Sequence, residues 1–337
     1  MECAALMTSL SFMPTIIEHA AYIIGQTPSA AAQDAEIMAQ AHIAAHRLYR
    51  HSVVTVGIDI YNIEAEALGC QLRFYEDESI PGILTHPMTL DSDFGQTMFS
   101  PNLGRIQLVL DAASMVKDAI GNEAQVNVGI CGPFSIMMEL LGFESAIHAF
   151  IDEDVRAQGL LAAVLDFQKE YSAAIIARGL GVTVFESWAS PPLVTPDIYR
   201  HYALPYEQAL FSHLSGLGLA ARPLVIGGDT RPILGDIAES GTTLLVSDFN
   251  TPLPLYVKKA RERGLTLRAN IDPKQVRQGD FDAIELRIKE ICAQREVYPN
   301  IIIGTGVVPY DTPAEYLLQV MGIISKYEQC IHKQRLS

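Results

Sequence analysis

Short runs rich in valine and isoleucine alternate with longer amphipathic segments along most of this chain, and this alternation restricts the fold more than any other feature. Seven such runs are VVTVGID, VNVGICG, VTVFES, PLVIGGD, TLLVSDF, LTLRANID and NIIIGTG. Continuous apolar strands separated by helices are typical of a parallel sheet that helices cover on both faces. The sequence therefore predicts an α/β protein whose strands run parallel.

The number of repeating units favours a closed barrel over an open sheet. With an eighth strand expected between Gly82 and Leu90, the seven runs make a (β/α)8 TIM barrel, and an N-terminal helical segment accompanies it. No GxGxxG fingerprint follows the first strand, which removes the main signal for an open, doubly wound dinucleotide-binding sheet. Because no linker or low-complexity tract divides the chain, we expect a single domain over residues 1–337.

Charge and composition narrow the choice of partners. The formal net charge of −15 argues against nucleic acid, because binding to phosphates needs clustered lysine and arginine. The apolar run near the N-terminus is broken by Pro14, Glu18 and His19, which fits neither a signal peptide nor a membrane span. We therefore expect a cytoplasmic protein with no nucleic-acid or membrane partner.

Polar side chains follow the predicted strands at the points where the strands end. The carboxylates are Asp59, Glu64, Glu186, Asp229 and Asp248, and the other groups are Tyr61, Asn62, Trp188, Asn270 and Thr305. A barrel of this type carries its working groups on the loops at the carboxyl ends of its strands. We expect these groups to converge on one anionic cavity that is poor in lysine and arginine. Such a cavity suits proton transfer, a neutral or cationic substrate, or an oxygen-ligated metal.

Structural roles compete with functional ones at several of these positions. Asp229 and Asp272 stand where a strand meets a helix, so each is also a candidate N-cap. Glu64 begins a helical stretch in which the backbone dipole favours acidic residues. Asp59 is harder to explain structurally, because a carboxylate after a buried strand needs a partner. We predict catalytic roles for Asp59, Glu64, Glu186 and Asp229, and substrate binding by Tyr61, Asn62, Trp188, Asp248, Asn270 and Thr305.

Seven segments, in order along nearly the whole chain from about Phe12 onward, carry a family resemblance. They are NIEAEALGC, GICGPFSIMMELLGFE, SPPLVTPDIYRHYALPYEQAL, VIGGDT, ESGTTLLVSDF, LRANIDP and GTGVVPYDTPAEYL. Together they resemble the uroporphyrinogen decarboxylase superfamily and, within it, the branch of methylcobamide-dependent methyltransferases. The resemblance implies an eight-fold barrel with its cleft at the carboxyl ends of the strands.

Two departures from the family pattern count against uroporphyrinogen as a substrate. The decarboxylases resemble one another in an N-terminal segment whose arginines grip the substrate's acid groups, whereas MTSLSFMPTIIEHAAYIIG contains no arginine. Thr305 also stands where those enzymes have the histidine of a GHG element. A decarboxylase that acts on a smaller acid stays an alternative, as does a non-catalytic, ligand-binding member of the fold.

The zinc ligands of the family's coenzyme M methyltransferases are also absent. Those enzymes bind zinc through an HxC motif and a later cysteine; here Val225 and Gly227 occupy the first two places, and Thr305 or Val307 the third. Thiol activation by that zinc site is therefore not expected. Whether another metal site exists stays open, with His19, Glu64, Glu186 and His201 as candidate ligands.

The family resemblance, combined with the absence of these zinc ligands, implies a corrinoid-dependent methyltransferase of the demethylating kind. Such an enzyme moves a methyl group between a small O- or N-methyl compound and a cobalamin carried by a separate corrinoid-binding protein. An O-demethylase is one form of this activity. The chain would then meet two partners, a small-molecule methyl donor and the corrinoid protein, and a homodimer is left open.

Overall fold

A barrel of parallel strands forms the centre of the computed structural model, which describes residues 12–92 and 99–336, with side chains up to residue 328. The strands in these ranges are β1 (Phe12–Thr15), β2 (Val53–Val56), β3 (Leu72–Arg73), β4 (Gly82–Ile83), β5 (Gln125–Cys131), β6 (Gly181–Phe185), β7 (Leu224–Val225), β8 (Leu244–Ser247), β9 (Thr266–Ile271) and β10 (Ile301–Val307). All of them except β3 and β4 belong to the barrel. The predicted eight-stranded α/β barrel is thus confirmed.

Two arcs of four strands make up the wall of the barrel. One arc has the order β1–β10–β9–β8 and the other β2–β5–β6–β7, and neighbours within each arc are parallel. A bridge between Pro223 and Leu244 joins β7 to β8. At the other seam, β1 and β2 line the same small void in the barrel interior, although the described residues of these two strands are not paired with each other.

The eighth barrel strand is β1, so its predicted place between Gly82 and Leu90 is wrong. β4 covers only Gly82–Ile83 and pairs antiparallel with β3 in a separate two-stranded sheet. β1 escaped the sequence analysis because it contains Pro14, which has no backbone N–H to donate to a neighbouring strand. Proline is tolerated in β1 because this strand lies at the edge of its arc, and its register with β10 shifts at that residue.

Helices cover the outside of the barrel. They are α1 (His19–Ile23), α2 (Pro28–Gln33), α3 (Ala35–Tyr49), α4 (Ile60–Ala67), α5 (Ile106–Ile120), α6 (Pro133–Leu141), α7 (Phe143–Ile151), α8 (Val155–Ala177), α9 (Pro196–Ile198), α10 (Leu204–Gly216), α11 (Leu234–Ile237), α12 (Leu253–Arg263), α13 (Pro273–Gln278), α14 (Phe281–Val297) and α15 (Ala314–Leu336). The predicted N-terminal helical segment corresponds to α1–α3, which lie between β1 and β2. Within the described ranges no single helix is long and apolar enough to cross a membrane; α6 and α7 meet that criterion only as a pair, bent by 114°.

Local sequence explains where these elements form. All five residues of β6 are buried, as are the last six of β5, as expected for parallel strands with helices outside and side chains inside. Asp272 caps α13, because its Oδ1 accepts a hydrogen bond of 2.8 Å from the backbone N–H of Lys274. Gly279 ends the same helix in the left-handed conformation, at a φ of 70°. The N-cap interpretation of Asp272 is therefore the one that the structure supports.

Candidate active site at the mouth of the barrel

A cavity of about 670 Å³ opens at the carboxyl ends of the barrel strands. The ends or following loops of β1, β2, β6, β7, β8, β9 and β10 contribute to its lining, together with Ile80, Pro81 and Glu139. This is where a barrel of parallel strands places its working groups. The volume is that of a typical small-molecule site.

The walls of the cavity are largely apolar and partly aromatic. Phe185, Trp188 and Phe249 line it, with Ile17 and Ile60 between them. At its edge lie three exposed apolar side chains, Ile80 (47% exposed), Leu193 (48%) and Val307 (43%). Apolar side chains left in water around a pocket are typical of a surface that another molecule covers.

Five of the six predicted substrate-binding residues line this cavity. They are Tyr61, Asn62, Trp188, Asp248 and Asn270. Thr305 is instead fully buried, and its hydroxyl accepts a hydrogen bond of 3.2 Å from the backbone N–H of Thr15. Thr305 therefore joins β10 to β1, which is a structural role.

Asp59 lines the cavity as one half of a buried ion pair. The guanidinium of Arg105 donates to both carboxylate oxygens, over 2.9 Å from Nη1 and 2.7 Å from Nη2. Asn62 donates a third hydrogen bond to Asp59 over 3.0 Å, and Arg105 also donates to Glu66 over 2.6 Å. A bidentate arginine of this kind stabilises the charged carboxylate. Burial raises the pKa of Asp59 and Arg105 lowers it only in part. Because both of its carboxylate oxygens already accept hydrogen bonds from Arg105 and Asn62, Asp59 is suited to orienting Asn62 rather than to exchanging a proton with a ligand.

Glu18 is the carboxyl group in the cavity that is best suited to proton transfer. It follows β1 directly and lines the cavity at the start of α1. Burial raises the pKa of Glu18 to about 7, and a hydrogen bond from its own backbone N–H lowers it only in part. A group with a pKa near 7 has both protonation states available at neutral pH, as general acid–base catalysis requires.

Two further carboxyl groups line the cavity near its mouth. Glu139 of α6 accepts a hydrogen bond of 2.7 Å from the indole N–H of Trp188, which fixes the orientation of that ring. Asp248 accepts hydrogen bonds from the backbone N–H groups of Gly228, over 2.7 Å, and Phe249, over 2.8 Å. Burial raises the pKa of both carboxyl groups. Both are anchored by donors, whereas Glu18 is held by no other side chain in the described ranges.

Arg268 brings a positive charge into the barrel interior. It lies on β9, is only 4% exposed, and lines both the main cavity and the small void beneath it. Its Nε donates to the Asn270 side chain over 3.1 Å, and its Nη2 donates to the Thr15 hydroxyl over 3.0 Å. Burial lowers the pKa of Arg268 to about 10, so the guanidinium stays charged at neutral pH.

Glu64 and Glu186 lie behind the barrel wall, so the prediction that they face the cavity is wrong. Glu64 is fully buried and accepts a hydrogen bond of 2.8 Å from the backbone N–H of Cys131. Residues two apart on a helix point about 200° away from each other, so Asn62 faces the cavity and Glu64 faces the opposite side. Glu186 is also fully buried and accepts a hydrogen bond of 2.6 Å from the backbone N–H of Ser135 in the first turn of α6. Neither carboxyl group touches the cavity.

Asp229 lies outside the cavity lining as well. It is partly exposed and forms an ion pair with Arg231, two residues along the chain. Its Oδ1 also accepts a hydrogen bond of 3.2 Å from the backbone N–H of Arg231, as a turn residue does. The expectation that the five carboxylates converge on one anionic cavity poor in lysine and arginine is therefore wrong. Two of the five reach the cavity, one of these is paired with Arg105, and Arg268 also lines the cavity.

The four candidate metal ligands do not come together. His19 is buried, with hydrogen bonds of 3.0 Å to the Tyr310 carbonyl and 2.8 Å to the Tyr49 hydroxyl. His201 lies on the exposed surface, and Glu64 and Glu186 occupy the positions behind the wall. Among the side chains described in residues 12–92 and 99–328, no three His, Cys, Asp or Glu residues form a group that could hold a metal ion.

Glu18, Glu139 and Arg268 are functional candidates that the sequence pattern did not predict. A usable signal existed for Arg268, because it precedes Asn270 by two residues and successive strand residues alternate between the two faces of the wall. Glu18 lies on an irregular loop and Glu139 on a helix, and no periodicity indicates that either side chain faces the cavity.

Comparisons with known proteins show that the chain is similar to methyltransferases and to decarboxylases. A family model described as uroporphyrinogen decarboxylase (URO-D) matches residues 9–327. A methylcobamide:CoM methyltransferase MtbA of Methanosarcina mazei is 29% identical over 298 residues, which are 87% of this chain and 85% of that protein. A methylcobamide:CoM methyltransferase MtaA of Methanosarcina barkeri is 25% identical over 300 residues, with the same two coverages.

A decarboxylase and a solved structure are also similar. The uroporphyrinogen decarboxylase of Pelodictyon phaeoclathratiforme is 26% identical over 268 residues, which are 76% of this chain and 74% of that protein. A solved structure described as a methyltransferase from Methanosarcina mazei superposes with a TM-score of 0.80 at 22% identity. The superposition covers 95% of this chain and 93% of the solved chain, which shows that the two proteins share the barrel fold.

Proposed function

The chain belongs to the uroporphyrinogen decarboxylase family, and we propose that it is a methyltransferase that moves a methyl group between a small O- or N-methyl compound and a corrinoid held by a separate protein. The methylcobamide:CoM methyltransferases that align with most of its length support methyl transfer as the reaction. The residues of the cavity support an O- or N-methyl compound, rather than a thiol, as the second substrate.

The observation that carries this proposal is Glu18 at the cavity surface. When a methyl group leaves an ether or a protonated amine, the electron pair of the broken bond stays on the oxygen or nitrogen. An oxygen leaving group then needs a proton, and a carboxylic acid in contact with it supplies one. With its pKa raised to about 7 by burial, Glu18 is protonated in a large fraction of molecules at neutral pH. It is the candidate general acid.

Other residues of the cavity would bind and orient the methyl donor. Asn62 is held in place by Asp59 and also donates a hydrogen bond of 2.6 Å to the Pro81 carbonyl. The hydroxyl groups of Tyr61 and Ser187 share a hydrogen bond at the cavity wall. Trp188, fixed by Glu139, presents an aromatic surface to a ring-shaped substrate. Rigidly held groups of this kind reduce the entropy lost on reaching the reactive geometry.

The edge of the cavity fits a corrinoid presented by a partner protein. The partner's corrinoid, with its cobalt in the +1 state, supplies the electron pair that accepts the methyl group. Ile80, Leu193 and Val307 are each more than 40% exposed around the opening and would contact a flat macrocycle or the protein that carries it. The apolar walls below them exclude water from the bound methyl donor.

The residues at the family's zinc positions do not fit a zinc ion. Val225, Gly227 and Val307 all line the cavity and offer no side-chain atom that binds zinc. Thr305, the other residue considered for the third position, is fully buried outside the cavity lining, and its hydroxyl accepts a hydrogen bond from the Thr15 N–H. We therefore assign no zinc-dependent step to this chain. A thiol such as coenzyme M would lack the metal that converts it to a thiolate, which is why an ether or amine is the proposed methyl donor.

Mixing the protein with free cobalamin reduced to the cobalt(I) state and a panel of aryl methyl ethers and methylamines tests the proposal. The expected result is a change in the corrinoid absorption spectrum that depends on the methyl donor and on the protein. Glu18→Gln should slow this change, whereas Glu170→Gln, at an exposed position on α8, should not. A panel that leaves the spectrum unchanged, also when a corrinoid-binding protein replaces free cobalamin, would refute the proposal.

One observation favours a second candidate, a decarboxylase for a small acid. Arg268 places a positive charge in the cavity where a substrate carboxylate could bind, and the family includes decarboxylases. Release of carbon dioxide from a small aromatic or aliphatic acid, without any change in added corrinoid, would support this alternative.

A further inference from the structure

Arg268 is a positively charged side chain of the cavity lining that the proposed methyl transfer does not use. We propose that its guanidinium binds a carboxylate group of the substrate, so that the methyl donors are small O- or N-methyl carboxylic acids. The identity of these acids as methyl donors rests on the proposed function, whereas the carboxylate site is argued from the cavity alone.

Arg268 has no carboxylate within hydrogen-bonding distance in the described part of the chain. Its three hydrogen-bond acceptors are the Asn270 amide oxygen, the Thr15 hydroxyl and the Thr305 carbonyl, at 3.1, 3.0 and 3.3 Å. All three are neutral. No side chain in the described ranges forms an ion pair with Arg268, and the Asp248 carboxylate, which lines the same cavity, acts on it through space by raising its pKa without contacting it. Arg105, the other buried arginine at this end of the barrel, has both Asp59 and Glu66 within 2.7 Å. Of these two arginines, Arg268 is the one with no carboxylate in hydrogen-bonding contact.

Arg268 also keeps N–H donors available for a ligand. Its hydrogen bonds within the protein use Nε and Nη2, and Nη1 donates to no group in the described part of the chain. The guanidinium has five N–H donors in a planar fork that matches a carboxylate. Because Arg268 lines the cavity, a ligand's carboxylate can reach it without unfolding the barrel.

The residues around Arg268 hold its guanidinium in place. Neutral acceptors on β1, β9 and β10 fix it from three sides. Gly304 on β10 leaves room for it, because a Cβ atom at that position would lie 2.7 Å from Cγ and Cδ of Arg268. A buried charge without a counter-ion is strongly unfavourable, so a site of this kind gains affinity when a ligand supplies the counter-ion.

The location of Arg268 also predicts how the substrate lies. Arg268 borders the small void at the base of the barrel as well as the cavity, so it is at the inner end. A carboxylate bound there leaves the rest of the molecule between Phe185 and Trp188, with its methyl group toward the open mouth. That orientation brings the methyl group to the side from which a corrinoid protein approaches.

Trp188 makes this inference easy to test, because it is the only tryptophan in the chain and it lines the cavity. We would titrate the purified protein with benzoate and with benzamide, its neutral isostere, and follow the tryptophan fluorescence. Benzoate should bind and benzamide should bind much more weakly. In Arg268→Gln the benzoate affinity should fall by about 10- to 100-fold, the range expected for a charged hydrogen-bonded contact. The matched control is Arg231→Gln, which removes an exposed arginine outside the cavity lining and should leave benzoate binding unchanged.

A second variant keeps the test decisive if Arg268→Gln does not fold. Asn270→Asp places a carboxylate beside Arg268, supplies the missing counter-ion and should abolish benzoate binding while raising the melting temperature. Benzoate binding by Arg268→Gln or by Asn270→Asp with the affinity of the unmodified protein would overturn the inference. A clear fall in the melting temperature of Arg268→Gln, together with no benzoate binding by the unmodified protein, would show that Arg268 only fills the barrel.

Methyl transfer assays then separate this inference from the proposed function. 4-Methoxybenzoate and N,N-dimethylglycine serve as the O- and N-methyl acids, with 4-methoxybenzamide and dimethylglycinamide as neutral counterparts. We expect transfer from one of the acids, at least ten times faster than from its amide, and loss of that preference in Arg268→Gln. Equal rates for acid and amide would overturn the inference and leave the methyltransferase standing. Arg268-dependent benzoate binding without transfer from any donor would leave the carboxylate site standing and overturn the proposed function.

Discussion

The fully buried Glu64 should make the stability of this protein depend on pH, and Glu64→Gln isolates its contribution. The carboxyl group is enclosed between α4 and β5, with the Cys131 N–H as donor to Oε1 and no hydrogen-bond partner for Oε2. Burial raises its pKa from 4.5 to about 8, because the surroundings do not solvate the charged form. Glutamine keeps the shape of the side chain and stays neutral at every pH.

The direction and size of the effect follow from that pKa. The folded protein holds the Glu64 proton more tightly than the unfolded chain, so raising the pH above 4.5 stabilises the unfolded state relative to the folded one. The loss continues until the pH passes about 8, where both states are ionised. It amounts to about 1.4 kcal/mol for each pH unit and roughly 4–5 kcal/mol in all. For a chain of this length that is a shift in melting temperature of about 5–10 °C.

Thermal and urea unfolding from about pH 5 to pH 9 measures this difference. At the acid end the unmodified protein and Glu64→Gln should unfold within about 1–2 kcal/mol of each other, since both side chains are neutral there. Toward pH 9 the variant should become the more stable of the two. Glu170→Gln, at an exposed position on α8, should follow the unmodified protein at every pH. Parallel stability curves for the unmodified protein and Glu64→Gln would refute the argument that Glu64 is buried as a neutral acid.

Three further predictions concern the site and its support. Asp59→Asn alone should destabilise the fold by about 3–5 kcal/mol, because it leaves the buried Arg105 with Glu66 as its remaining carboxylate partner. Combining it with Arg105→Met should restore part of the lost free energy of unfolding, as measured by urea denaturation. Glu18→Gln should lower the rate of methyl transfer from an aryl ether with little effect on ligand binding. In the unmodified protein this rate should fall as the pH rises through about 7, because Glu18 loses its proton there. A flat pH–rate profile would contradict the role of Glu18 as an acid. Gly132→Ala should lower the melting temperature, because a Cβ atom there would overlap the Glu186 carboxyl group; unchanged melting would show that Glu186 moves away at little cost.

Much of the barrel mouth could be predicted because strand ends converge in a parallel barrel. The predicted strands VTVGID and TLLVSDF each run into an aspartate, Asp59 and Asp248. The sequence therefore predicted that these two residues lie at the same end of the barrel, and both line the cavity. Successive strand residues point to opposite faces of the barrel wall, and this alternation also predicts which polar residues face away from the cavity. Phe185 lines the cavity whereas Glu186, the next residue, faces the helices outside.

The eighth strand shows where local pattern is too weak. β1 is four residues long and contains a proline, so no periodicity separates it from the helical segment that follows. It becomes a strand because β10 offers backbone partners along one side and the barrel needs an element there. Tertiary context decides short strands of this kind, since their intrinsic preference is small.

The sequence by itself determined that parallel strands and outer helices form an eight-fold barrel, and that polar groups follow its strands, because hydrophobic periodicity depends only on neighbours along the chain. Only the tertiary structure decided which charges are paired. Asp59 meets Arg105 across 46 positions of sequence, while Arg268, two residues from Asn270, meets no carboxylate in the described ranges. Whether a buried charge is compensated depends on distances of a few ångströms between separate elements. The raised pKa of Glu18 likewise depends on how much water those elements exclude.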